Sequence, residues 1–333
     1  MKMKKVVAGV MAAAMIVPYA ANAAVPVQAA NNQDDSIVEN QNPQPVLNVT
    51  FDREDASDES GRGNHGTVVG DAQFVDGISG KAIHLTNPDG IAGEFAEAEQ
   101  YVNFGEPEDL KFGTEDFTIS FAYKSDGTDS EEVSVVGNKD WNTGDNDGLV
   151  VADFRNGMAL NFATGGQGRI ETGRWTEGTD NSWHYVTGTF DRDGEMIFYL
   201  DGKEIDSRDL TSQAGGSIDV ADFVIGADGY HRFGVKDSFI DEFQVYKEAL
   251  TKEQVETLSA PHVLKGKIAN YREELEKSDQ PQDKKEKFEA ALDQAEEAAQ
   301  EVTDLEKAEE IIVSLDEAYR EFVRVLKLTF DDE

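Results

Sequence analysis

Phe239-Ile240-Asp241-Glu242-Phe243-Gln244-Val245-Tyr246 decides the fold, because it is a strand with a carboxylate on its dry side. Strand side chains alternate between faces, so Phe239, Asp241, Phe243 and Val245 are expected on one side and Ile240, Glu242, Gln244 and Tyr246 on the other. A charge among apolar neighbours is costly unless it meets a metal, a basic partner or several backbone N–H groups. The segment expected to meet Asp241 lies far upstream, at Asp58-Glu59-Ser60-Gly61-Arg62-Gly63-Asn64-His65-Gly66.

Other strand-like runs surround this one. Leu47-Val49-Phe51, Phe117-Ile119-Phe121-Tyr123, Met158-Leu160-Phe162 and Met196-Phe198-Leu200 alternate in the same way, and Asp201-Gly202 supplies a hairpin turn. Many short strands with frequent turn signals predict a mainly β chain, an antiparallel jelly-roll sandwich over residues 46–258. After Pro261 glycine all but disappears and apolar residues recur at three and four spacing. Leu264, Ile268, Tyr271 and Leu275 form one seam; Phe288, Leu292, Ala295, Ala299 and Val302 a second; Ala308, Ile312, Leu315, Tyr319 and Phe322 a third. With breaks at Pro281 and Thr303-Asp304, residues 261–326 are expected to form a three-helix bundle. The nonamer Val46-Leu47-Asn48-Val49-Thr50-Phe51-Asp52-Arg53-Glu54 recurs as Val325-Leu326-Lys327-Leu328-Thr329-Phe330-Asp331-Asp332-Glu333, so the tail 327–333 reads as the start of a further module.

The chain has 333 residues, 30 Lys and Arg against 67 Asp and Glu, a net charge of −37 and no cysteine. Such acidity disfavours nucleic acid and anionic membrane surfaces as partners. Absent cysteine removes disulfides, thiolate zinc sites and cysteine nucleophiles. Residues 1–23 read as a secretory signal peptide: Lys2, Lys4 and Lys5, an apolar run from Val6 to Val17, then Ala21-Asn22-Ala23 for cleavage. The apolar run is shorter than the about 20 residues a membrane span needs. A polar, proline-punctuated linker occupies 24–45, and the expected location is extracellular or at the cell surface, with no membrane span after signal removal.

Several motifs carry a resemblance. Phe51-Asp52, Asp58-x-Ser60-Gly61-x-Gly63-Asn64-His65-Gly66-Thr67 and Asp76-Gly77-x-x-Gly80-Lys81-Ala82 come first. Trp183-His184-Tyr185-Val186, Tyr199-Leu200-Asp201-Gly202-Lys203 and the stretch 239–246 with Ala249-Leu250-Thr251 follow in order. Together they resemble the LamG-like, concanavalin A-like jelly-roll modules of bacterial secreted proteins. The helical part looks like a FIVAR-type module of bacterial surface proteins. The first resemblance implies a structural Ca²⁺ where the first loop meets the last strand, with Asp58 and Asp241 at the matching positions; Asp52 can add charge and Asn64 a side-chain or main-chain oxygen. Calcium takes about six to eight oxygens, which carboxylates, amide and backbone carbonyls and water can supply. The alternative is that Asp241 only accepts N–H bonds from the Gly-rich loop.

For a ligand, Trp141, Trp175, Tyr230 and Arg232 fall in expected loops, and aromatic faces beside polar groups can grip a sugar ring. The stretch Asn138 to Gly148 lacks the acid at Thr143 and the Glu at Phe154 that an EF-hand loop needs, so it reads as a polar turn with one exposed aromatic. Glu204-Ile205-Asp206-Ser207-Arg208-Asp209 imitates a glucanase carboxylate string poorly and reads as a surface hairpin. His184 reads as a packed strand residue. The expectation is a non-catalytic carbohydrate-binding module, part of a larger cell-surface or glycan-degrading protein. The alternatives are an adhesive protein-binding module and an accessory region of a hydrolase.

Overall fold

The computed structural model describes residues 43–87, 97–125, 132–154 and 156–324. The expected signal peptide, the expected linker up to residue 42 and the terminal nonamer lie outside the described residues. In chain order the strands are β1 (Leu47–Val49), β2 (Thr67–Val69), β3 (Gln73–Asp76), β4 (Lys81–Thr86), β5 (Tyr101–Gly105), β6 (Phe117–Ser125), β7 (Glu132–Gly137) and β8 (Gly148–Phe154). They continue as β9 (Gly157–Ala163), β10 (Ile170–Glu171), β11 (His184–Phe190), β12 (Glu195–Leu200), β13 (Lys203–Asp209), β14 (Phe223–Ile225) and β15 (Asp237–Tyr246). Three helices follow, α1 (Lys252–Lys277), α2 (Gln282–Ala299) and α3 (Leu305–Val323).

The strands form two antiparallel sheets. The first runs β13-β12-β11-β6-β15-β4-β3 with β1 added to β15, and the second runs β10-β9-β8-β7-β14-β5-β2. Alternation predicted the register: Val49, Phe117, Phe121, Leu160, Phe162, Phe198, Phe243 and Val245 all enter the layer between the sheets. Phe112, Phe117 and Phe190 stack there with centroids 4.2 and 4.3 Å apart. Each such side chain contributes about 1.5–3 kcal/mol on burial. The β12–β13 turn places Asp201 at φ 52° and Gly202 at φ 74°, the left-handed pair that a tight hairpin requires.

β15 departs from simple alternation. Asp241 pairs with Ala122 but Gln244 pairs with Ser120, so β15 holds one extra residue, and Glu242 takes φ 50°. This β-bulge switches faces midway. Phe243 and Val245 point into the inter-sheet core, whereas Phe239 lies beneath α1 with Ile78, Ala122, Trp183 and Tyr185. The expected common face for Phe239, Asp241, Phe243 and Val245 is therefore corrected: Asp241 sits on the outer side with Phe239.

The outer face of the first sheet is covered by α1. Thr251 and Gln254 close a reciprocal capping box, which starts the helix at Lys252, and the helix continues through Pro261. The expected boundary between 258 and 261 is thus interior to a continuous helix, and sandwich and helices cluster as one compact unit. His262 stacks on Tyr185 at 4.5 Å, Asn270 accepts the Trp183 N–H at 2.7 Å, and Lys124 pairs with Glu273. Beyond this contact α1 joins α2 and α3 in the expected bundle, with Leu264, Ile268, Tyr271, Phe288, Leu292, Leu315 and Phe322 in one core. Pro281 precedes α2, and Asp304 caps α3 by accepting the Lys307 N–H at 3.2 Å, so both breaks fall where expected.

Candidate functional site

The calcium expectation rests on Asp58 meeting Asp241, and the two carboxylates serve different segments. Asp58 Oδ1 accepts N–H bonds from Asn48 at 3.0 Å and Ser60 at 2.8 Å; its Oδ2 accepts from Gly63 at 3.0 Å, Asn64 at 2.9 Å and the Ser60 hydroxyl at 2.8 Å. Burial raises the Asp58 pKa, but these donors outweigh it and hold the group below its usual value. Asn64 uses its amide Nδ2 to donate to the Val46 carbonyl at 2.8 Å and to Asp109 at 3.1 Å.

Asp241 instead meets the β3–β4 turn. Its Oδ2 accepts from Ile78 N–H at 2.9 Å and Ser79 N–H at 3.2 Å, and its Oδ1 from Glu242 N–H at 2.7 Å. Asp52 holds the same turn by accepting the Lys81 N–H at 2.7 Å. A Cβ at Gly77 would collide with Asp241 Oδ2, and one at Gly80, which has φ 63°, with Asp52 Oδ1. The spacing of Gly77 and Gly80 was the sequence signal for this partner. Burial, with the neighbouring Glu242 carboxyl, pushes the Asp241 pKa well up. The N–H donors converging on each carboxylate account for its burial without a cation. Among the described residues no group of three or more His, Asp or Glu side chains is arranged to hold a metal.

Three of the four expected ligand residues come together over the outer face of the second sheet. There Trp141 packs with Val150, Ala152, Phe154, Ala159 and Phe233. Fully buried Asp228 ties two loops, accepting N–H bonds from Tyr230 at 3.0 Å, Arg232 at 2.7 Å and Trp141 at 3.0 Å. Arg232 Nη2 reaches Asp140 at 2.6 Å and Asp228 at 3.5 Å, and its guanidinium carbon lies 5.3 Å from the Tyr230 ring centroid. Burial raises the Asp228 pKa against the pull of these donors and of Arg232. Tyr230 is 54% exposed. Trp141 is only 5% exposed, which corrects the expectation of an exposed aromatic: its indole edge packs on Phe154 at 6.1 Å. Trp175 lies elsewhere, bridged through its backbone to Met158 and packed against the inter-sheet core. Within the loop, His231 and Phe233 have φ of 61° and 53°, a left-handed conformation that costs side-chain-bearing residues energy.

The remaining candidates resolve as structure. Glu204, Asp206 and Asp209 lie on β13, at the end of the first sheet's order, and Asp206 accepts the Gly173 N–H at 2.6 Å. His184 on β11 lies between Asp201 at 2.8 Å and Asp180 at 3.0 Å. Burial opposes its charge, yet the two carboxylates lift its pKa to about 9.

Residues 96–256 match the Laminin_G_3 family model, described as the concanavalin A-like lectin/glucanases superfamily. That match ends inside α1, so the α2 and α3 helices lie outside it. No curated protein sequence matches the chain. Among solved structures, the binding domain of Paraclostridial Mosquitocidal Protein 1 is similar at TM-score 0.54 and 21% identity, over 65% of this chain and 52% of that one. The binding domain of botulinum neurotoxin DC, solved in complex with rat synaptotagmin II, gives 0.52 and 16%, over 66% and 52%. The botulinum neurotoxin serotype D ligand binding domain, solved with N-acetylneuraminic acid, gives 0.52 and 17%, over 66% and 51%. The chain thus matches about half the length of these structures, and at such identities the likeness establishes the jelly-roll fold.

Proposed function

We propose that the chain is a secreted, non-catalytic binding module that recognises a glycan through the loop pair 138–147 and 228–233. The observation that carries this reading is Tyr230, an exposed ring beside a guanidinium held in place by Asp140 and Asp228. An aromatic face covers the apolar side of a sugar ring, and a fixed cation beside it can hold a hydroxyl or carboxylate without first being ordered. The solved relative with N-acetylneuraminic acid supports an acidic sugar as the first ligand to try. In this reading the helices are a FIVAR-type spacer within a cell-surface protein. The reading needs no calcium, because N–H donors from two different loops already hold Asp58 and Asp241.

A glycan array with the whole protein identifies the sugar, and titration of Tyr230→Ala against it should show an affinity loss of about tenfold, or ~1.4 kcal/mol. Its melting temperature should stay unchanged. Binding to no sugar but to an extracellular protein, lost in the same variant, would favour the adhesive reading; full affinity in Tyr230→Ala would move the site elsewhere.

A further inference from the structure

One buried group, at the base of the 138–147 loop, makes none of the ligand contacts proposed above. Lys139 follows β7, is fully buried, and makes no ion pair among the described residues. Its Nζ donates instead to two neutral oxygens, Gly144 O at 3.0 Å and Asn161 Oδ1 at 2.8 Å. Asn161, on β9, is also fully buried, and its Nδ2 donates to Glu171 Oε2 at 3.0 Å. Glu171 on β10 is the direct cross-strand partner of Asn161. An amine, a carboxamide and a carboxyl group therefore stand in a row, with Trp141 beside them, its ring centroid 5.8 Å from Nζ.

We propose that Lys139 and Asn161 join in an intramolecular isopeptide bond, formed by the folded chain itself with Glu171 relaying the proton. Burial favours the reactive form of the amine: it outweighs the attraction of Asp147, Asp145 and Glu171 and brings Lys139 down to about 7, so neutral amine is abundant at neutral pH. The sequence of bonds balances without an outside reagent. The neutral Nζ swings from Oδ1 onto Asn161 Cγ and forms the C–N bond. Nζ then gives up one proton, which Glu171 accepts and passes to Nδ2. The Cγ–Nδ2 bond breaks, one ammonia leaves, and a secondary amide remains between the two side chains. Holding amine and carboxamide together replaces a bimolecular encounter by a unimolecular step, the main obstacle to amide exchange in water. The product ties the 138–147 loop to β9 in a chain that has no cysteine for a disulfide.

Intact-mass spectrometry of the purified full chain, with its first residue fixed by N-terminal sequencing, tests the bond. The expected mass is short of the sequence by one ammonia, trypsin no longer cuts after Lys139, and one branched peptide carries both residues. Lys139→Met should restore the full mass. A succinimide at Asn161 gives the same deficit without the lysine, so a deficit that persists in Lys139→Met overturns the proposal. Glu171→Gln keeps the packing and removes the relay; full mass in this variant with a native melting curve supports the step, and an unchanged deficit overturns the role of Glu171. Wild-type protein that melts cooperatively and has its full sequence mass overturns the bond altogether.

Discussion

Asp241 acts as a fastener between chain segments far apart in sequence, with three N–H groups converging on one carboxylate. Removing the acceptor leaves buried donors unpaired, each costing about 1–3 kcal/mol. Asp241→Ala should therefore lower stability by about 3–5 kcal/mol in urea melts. Gly77→Ala, which drives a methyl into the same carboxylate, should cost about 1–3 kcal/mol by the overpacking route. Glu242 is itself buried by the bulge near Lys265 and Ser79, and burial raises its pKa. A chelator should leave the melting temperature of the wild type unchanged; a fall of several degrees would restore the calcium expectation. His184 supplies a pH signature. Its folded pKa of about 9 exceeds the ordinary 6.5, so its contribution is complete below pH 6.5 and is lost as pH rises through 9. Melting temperatures taken across that window should fall in the wild type and stay flatter in His184→Gln.

At the scale of elements, β6, β9 and β12 were legible because regular pairing preserves a period of two from end to end. The bulge in β15 was not, because an inserted residue at positive φ leaves alternation looking intact in residue types; only the Asp241–Ala122 and Gln244–Ser120 pairs reveal it. For the same reason Asp241 was assigned the wrong partner loop, although Gly77 and Gly80 were visible. The ligand loops were half legible: Trp141, Tyr230 and Arg232 converge, but Asp228, the buried carboxylate that gathers them, carried no signal of its own. Trp141→Ala should accordingly act through the core, costing about 3–5 kcal/mol in a thermal or urea melt. Among the helices the seams and both breaks were legible. The start of α1 was obscured because Pro261, read as a boundary, is tolerated within the helix. A fragment of residues 261–324 loses the capped first turns and exposes the His262 side that Tyr185 covers. It should show a broader, lower thermal transition by circular dichroism than the same helices in the whole protein.

For the molecule as a whole, acidity is spread over surfaces while the burials of charge are local and specific, among them Asp228 under its loops, Asp241 under a turn and Lys139 between oxygens. Compaction therefore works against long-range repulsion, which salt screens within about 8–10 Å. Raising salt should stabilise the protein, measured as a rise in melting temperature between low and physiological ionic strength.

The unbroken path of α1 from the sheet surface into the bundle has a mechanical meaning. A tug on the far end of the helices finds no hinge to take up slack between them and the sandwich. It travels along a stiff rod whose base is clamped by Tyr185 and Trp183, so the two halves tilt together as a lever does. Any torque reaching the bundle is delivered to the sheet opposite the ligand loops.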